Sequence, residues 1–169
     1  MSRYRPPQPK STPYITRQGF IILEKELRDL WVKRDEVTIA LSAAAAEGDR
    51  SENAEYIYRK KQLREIDRRL RYLQKRLPDL TAVDKVPDNQ QQIFFGAWVE
   101  LEDDEGQIFS YRIVGPDEFD RDKRYISLDS PMAKSLLKKH LDDEITVRTP
   151  AGEKHYVITD VRYEHELAD

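Results

Sequence analysis

Two apolar stripes, each with spacings that alternate between three and four and joined by a short connector, limit this chain more than any other feature. The first is Phe20, Leu23, Leu27, Leu30, Val37, Leu41 and Ala44, with Arg34 as its one break. The second is Tyr56, Leu63, Ile66, Leu70, Leu73 and Leu77, with Arg59 on the seam. Each is an a/d pattern of about three heptads. A connector of a few residues makes neighbouring helices antiparallel, so the expected structure is an antiparallel two-helix coiled coil. At about 1.5 Å per residue, a first helix from about Arg17 to Ala46 is roughly 45 Å long. Thr16 is a good N-cap for it. Gly48 is the residue type favoured where a helix ends and the chain turns, and Pro78 stops the second helix.

From Ile93 the period changes. AWVEL, QIFSYRIVG and RYISLD are short β-rich runs, with Glu105-Gly106 at the bend between the first two. SPMAKSLLKKH predicts a helix with Ser130 as N-cap and Pro131 at the first helical position. DEITVRT and KHYVITDVRY follow as two strands joined at Pro150-Ala151-Gly152. Three strands, a helix and two strands make a small α+β domain with a largely antiparallel sheet. The expected organisation is a basic, Pro-rich flexible arm at 1–13, a coiled-coil hairpin at 14–80, a linker at 81–92 and an α+β domain at 93–169.

Composition agrees with long exposed helices beside a modest core: of 169 residues, 38% are hydrophobic and 36% charged. There is no cysteine, which excludes disulfides, thiolate chemistry and Cys-based zinc sites. No apolar run approaches the roughly 18 residues of a membrane span. The arm lacks the apolar stretch of a secretory signal, and a cytoplasmic location is expected. His140, His155 and His165 show no metal-ligand spacing, and no Gly-rich phosphate loop is present.

The net charge of -3 hides an asymmetry. Residues 1–78 hold 18 Lys/Arg against 11 Asp/Glu, and residues 79–169 hold 11 against 21. The basic half points to an anionic partner. Nine cations lie between Arg59 and Arg76: Arg59, Lys60, Lys61, Arg64, Arg68, Arg69, Arg71, Lys75 and Arg76. Only Glu65 and Asp67 oppose them within that span. Lys60, Arg64 and Arg68 are spaced by four, and Arg71 and Lys75 continue the row, so they share a face. Two readings stay open. The cations could pair with Glu24, Glu26, Asp29, Asp35 and Glu36 of the first helix, or they could meet a polynucleotide backbone. Without a base-reading motif, contact with RNA or DNA would be independent of sequence.

The connector, within the stretch GDRSENAEY, bears a carboxylate pair, Asp49 and Glu52, next to Gly48. In the plain structural reading, Asp49 caps the second helix and Glu52 completes a capping box. In the functional reading, the pair serves a divalent metal. Two carboxylates plus substrate phosphates suffice for Mg²⁺, which keeps several waters. An arm that delivers them to a site already holding one metal could complete a two-metal phosphodiester hydrolysis site.

GDRSENAEYIYRKKQLREIDRRLRYL, with TRQGFIILEKELRDLW before it and VGPDEFD, ISLDSPMAKSLL and DDEITVRTPAGEKHYVITDV after it, resembles the bacterial Gre transcript cleavage factors, of the GreB type. The resemblance covers about Tyr14 to Tyr163 and implies a C-terminal domain of FKBP-like fold. It implies binding to RNA polymerase, with that domain docked at the rim of the secondary channel and the coiled coil inside it. The implied catalytic residues are Asp49 and Glu52, which would hold Mg²⁺ and a water jointly with the polymerase, not in the isolated protein. The polymerase then cuts its own backtracked RNA and resumes elongation. Arg50, Ser51, Asn53 and Tyr56 would support the tip. Arg59, Lys60, Lys61, Arg64, Arg68, Arg69, Arg71 and Lys75 would face the 3′ segment of the nascent RNA. The chain would act as a monomeric accessory factor and hydrolyse nothing alone. Two rivals are a channel-binding regulator without cleavage, disfavoured by the intact acid pair, and a folding helper, disfavoured by the polar tip. Fold alone does not license isomerase activity.

Overall fold

The computed structural model describes residues 10–48 and 53–164. The chain divides into two compact units: Phe20–Leu80, and the residues before Phe20 together with those after Leu80.

The first unit is the helical hairpin. Helix α1 is Arg17–Ala45 and α2 is Ala54–Arg76. Val37, Ile66 and Leu70 are buried at the seam, with Leu27, Leu30 and Leu63 packed against them. Arg34, the break in the first stripe, is satisfied from the facing helix: its Nε donates to Asp67 Oδ1 at 2.7 Å. Arg69 spans the hairpin in the other direction. Its guanidinium donates to both carboxylate oxygens of Glu26, at 2.7 and 3.0 Å. Such two-pronged pairs add geometric specificity, and here they help set the helix register. Pro78 does end α2, which passes into a 3-10 turn at Leu77–Asp79.

The second unit is the α+β domain. Its five-stranded sheet has the order β5-β4-β3-β7-β6. The strands are β3 Trp98–Asp103, β4 Ile108–Val114, β5 Tyr125–Ser127, β6 Glu144–Thr149 and β7 Gly152–Arg162. Only the β4–β5 pairing is parallel. Helix α3, Pro131–Leu136, follows β5, and Ser130 Oγ caps it by accepting from the Ala133 N–H at 3.2 Å. Val99, Leu101, Ile113, Leu136 and Ile158 form the centre of the core. Gly106, at φ +79°, turns the β3–β4 hairpin where the sequence predicts a bend. Tyr163 locks the edge of the domain by donating to the Gln92 carbonyl and accepting from the Phe94 N–H. Burial pushes its phenol up from the usual value.

The sequence does not predict one small sheet. Strand β1, Tyr14–Thr16, pairs in parallel with β2, Thr81–Val83. The segment expected as a linker at 81–92 therefore begins as a strand, and residues 14–19 sort with the α+β domain, not with the hairpin. The arm expected to be free at 1–13 is tied at its described end. The Thr12 N–H donates to Asp129 Oδ2 at 3.0 Å, the Thr12 hydroxyl donates to Asp129 Oδ1, and the Thr81 N–H donates to the Pro13 carbonyl at 2.7 Å. Three-residue strands are too short to show a period, and their partners lie far away in sequence.

The start of α1 is built around a buried carboxylate. Thr16 Oγ accepts from the Gly19 N–H at 3.0 Å, which is the predicted N-cap. Glu118, 1% exposed, accepts from the Thr16 N–H at 2.7 Å, from the Thr16 hydroxyl and from the Gly115 N–H at 3.1 Å. A Cβ on Gly19 would lie 2.5 Å from Glu118 Oε1, and one on Gly115 would lie 2.1 Å from the Tyr14 carbonyl oxygen. Both glycines are there for close approach.

Candidate functional site

The connector between α1 and α2 is where the sequence places its chemistry. Asp49, Arg50, Ser51 and Glu52 lie outside the described residues, but both ends of the connector are defined. On one side, α1 closes at Ala45, and the Ala46 N–H still donates to the Ser42 and Ala43 carbonyls. Gly48 follows with φ +137°, a backbone conformation that favours glycine. On the other side, α2 begins at Ala54, and its cap is Asn53.

Asn53 does two things. Its Oδ1 accepts from the Tyr56 N–H at 3.0 Å, which satisfies one of the open donors at the start of α2. Its Nδ2 donates to the Ala44 carbonyl at 2.7 Å, near the end of α1. One side chain thus ties the two helix ends across the connector. This corrects the capping-box expectation: the N-cap is Asn53, not Asp49, and the third helical residue is Tyr56, which has no carboxylate to return to the cap. Of the expected tip-support residues, Asn53 and Tyr56 are brought together in the cap, and Arg50 and Ser51 are not described. Asparagine is among the best N-cap residues, so Asn53 was visible in the sequence as an alternative cap. Its bond to α1 was not.

The cationic face of α2 can be tested against the two readings of its charge. Arg69 pairs with Glu26 of α1. Arg59 stays on its own helix, donating to Glu55 and Gln62 and lying 5.5 Å from the Tyr58 ring. Lys60 lies 5.8 Å from the Tyr56 ring. Lys61, Arg64, Arg68, Arg71 and Lys75 are exposed, and none of them has a hydrogen-bond or ion-pair partner among the described residues. Helical spacing puts these five on the side of α2 opposite Ile66, Leu70 and Leu73, with Ile57 and Tyr72 beside them. Pairing with α1 therefore does not account for the charge of these five. Like charges three and four apart repel by a few tenths of a kcal/mol per pair, so the row does not stabilise the helix that bears it.

Among the described residues, no three His, Asp or Glu side chains come together to hold a metal ion.

Comparison with known proteins bears on the whole chain. Residues 13–81 match the family described as "Transcription elongation factor, N-terminal", and residues 88–163 match "Transcription elongation factor, GreA/GreB, C-term". The transcription elongation factor GreB of Xanthomonas axonopodis pv. citri is 59% identical over 165 residues, covering 96% of this chain and 98% of that protein. GreB of Pseudomonas aeruginosa is 56% identical over 164 residues, again covering 96% and 98%. Among solved structures, the GreA factor homolog 1 of Thermus thermophilus aligns over 88% of this chain and 97% of its own, with 25% identity and a TM-score of 0.40.

Proposed function

The chain belongs to the GreA/GreB family of transcription elongation factors, and from that premise we propose that it activates transcript cleavage by RNA polymerase. It binds the elongation complex as a single copy, its hairpin enters the secondary channel, and its α+β domain docks outside. Asp49 and Glu52 are the working carboxylates at the hairpin end. Asn53 holds the two helix ends together on either side of them. Lys61, Arg64, Arg68, Arg71 and Lys75 run along the displaced 3′ segment of the RNA and neutralise its phosphates without reading bases.

Two carboxylates with substrate phosphates and waters are a fitting donor set for Mg²⁺. Bound there jointly with the polymerase, the ion would supply charge stabilisation and an activated water for phosphodiester hydrolysis. The chain's own part is to bring the acids in, keep them close together and hold the RNA against the cationic face. Alone it hydrolyses nothing, because the remaining ligands and the substrate belong to its partner.

One observation supports this most: the helix start just after the acids is capped by Asn53. Asn53, not Asp49, fills the N-cap position of α2. The test is RNA cleavage in a stalled, backtracked elongation complex with Mg²⁺, with and without the protein. Stimulated cleavage is the expected result. Proven polymerase binding with no stimulation would make the chain a regulator that occupies the channel without cleavage.

A further inference from the structure

The outward face of the five-stranded sheet presents two exposed aliphatic side chains, and nothing in the chain's own unit covers them. The register puts Ile108, Glu102, Val157 and Glu144 in one row across β4, β3, β7 and β6. The next row holds Ser110, Glu100 and Asp160. Their neighbours along the strands, Leu101, Ile145, Tyr156 and Ile158, point the other way into the core. Ile108 is 55% exposed and Val157 is 38% exposed, one on each side of Glu102.

The next rows of the same face hold Arg112 and Arg162 on either side of Trp98, and Arg148 opposite Glu153, but the carboxylates of the first two rows are not ion-paired among the described residues. Among the described residues, Glu102, Glu144 and Asp160 have no hydrogen-bond or ion-pair partner, and the side chain of Glu100 accepts only from the Thr159 hydroxyl. Glu100 and Asp160 stand directly opposite each other in the ladder, and like charges there destabilise a sheet. The face is therefore suited to an occupant with cationic side chains and an apolar contact.

The same chain displays such a surface. The outward side of α2 presents Lys61, Arg64, Arg68, Arg71 and Lys75, unpaired among the described residues, with Ile57 at 53% exposure in line with them. We infer that the occupant is a second copy of this chain: the acidic sheet face of one molecule takes the cationic α2 face of another, head to tail. Each face relieves the like-charge repulsion of the other, and Ile108 and Val157 gain an apolar neighbour. This rests on α2 being the RNA-facing side. If so, self-association covers that side in the free protein, and RNA competes for it. The single copy is the working form, and the assembly is a reserve favoured by low salt.

The test is sedimentation velocity of the full chain at about 50 mM and about 500 mM salt, where screening differs several-fold in range. The wild type should associate at low salt, with the affinity at least about tenfold weaker at high salt. Glu102→Lys/Glu144→Lys cancels the negative charge of the sheet rows, and Arg64→Glu/Arg68→Glu cancels most of the positive charge of the α2 face. Each variant alone should sediment as a monomer, and an equal mixture of the two should associate again. Reassociation also shows that both variants are folded. Adding a mixed-sequence single-stranded RNA oligonucleotide should release wild-type monomers. A wild type that stays monomeric at low salt, association that survives either reversal, or a mixture that fails to reassociate would each overturn the inference. The cleavage assay is read separately: self-association without stimulated cleavage would defeat the proposed function and leave this contact standing.

Discussion

The start of α1 and the outer face of α2 treat charge in opposite ways. Glu118 is 1% exposed, and two backbone N–H groups and a hydroxyl are directed at its carboxylate. On α2, five cations stand in water without a partner among the described residues. A buried charge with no partner would cost several kcal/mol, so the fold has to satisfy it. An exposed charge costs little, so a chain can keep it for another molecule. Full satisfaction thus marks the residues that build this protein, and missing partners mark the residues it offers outward.

The largest expected effects are on the satisfied side. Glu118→Ala strands the donors of Thr16 and Gly115 and should lower unfolding stability by about 3 kcal/mol. Gly115→Ala, which drives a Cβ to 2.1 Å from the Tyr14 carbonyl oxygen, should cost about as much. Urea unfolding measures both. A loss below about 1 kcal/mol for Glu118→Ala would mean that water replaces the carboxylate, and the contrast with α2 would weaken.

The next effect is on the unsatisfied side. Arg64→Glu/Arg68→Glu should leave stability within about 0.5 kcal/mol. The same variant should lower cleavage of long backtracked RNA by about tenfold and flatten its salt dependence. Unchanged activity at every salt level would remove RNA from the account of that face.

A third effect falls between the two classes, at Asn53. Asn53→Asp keeps a good cap acceptor but loses the donor to the Ala44 carbonyl, and should cost about 1 kcal/mol. Asn53→Ala loses both bonds and should cost about 2 kcal/mol. Stimulated cleavage should fall in Asn53→Asp at saturating factor, with polymerase affinity unchanged, if the tie between helix ends serves the acids. Equal loss of binding and cleavage would make Asn53 a structural cap alone.

Much of this was legible in the sequence, because periodic patterns report local geometry. The two heptad stripes fixed the hairpin, and even the break at Arg34 is answered by Asp67 of the facing helix. Strand alternation and the turn at Gly106 gave the α+β domain in its correct order. What could not be read was long-range hydrogen bonding. Thr16 and Glu118 are 102 positions apart, Thr12 and Asp129 are 117 apart, and the β1–β2 ladder joins Tyr14 to Thr81. None of these leaves a periodic trace. At the hairpin end, the sequence reading puts the cap of α2 at Asp49, and Asn53, an equally good cap type, takes that place.

The central claim is that Asp49 and Glu52 serve the partner's chemistry and not the fold. It is tested most directly by measuring polymerase affinity and RNA cleavage rate on the same backtracked complexes for wild type and Asp49→Asn/Glu52→Gln. The expected result is wild-type affinity and unfolding stability with stimulation abolished. Stimulation that survives the double substitution, or cleavage lost only in step with lost binding, would contradict it.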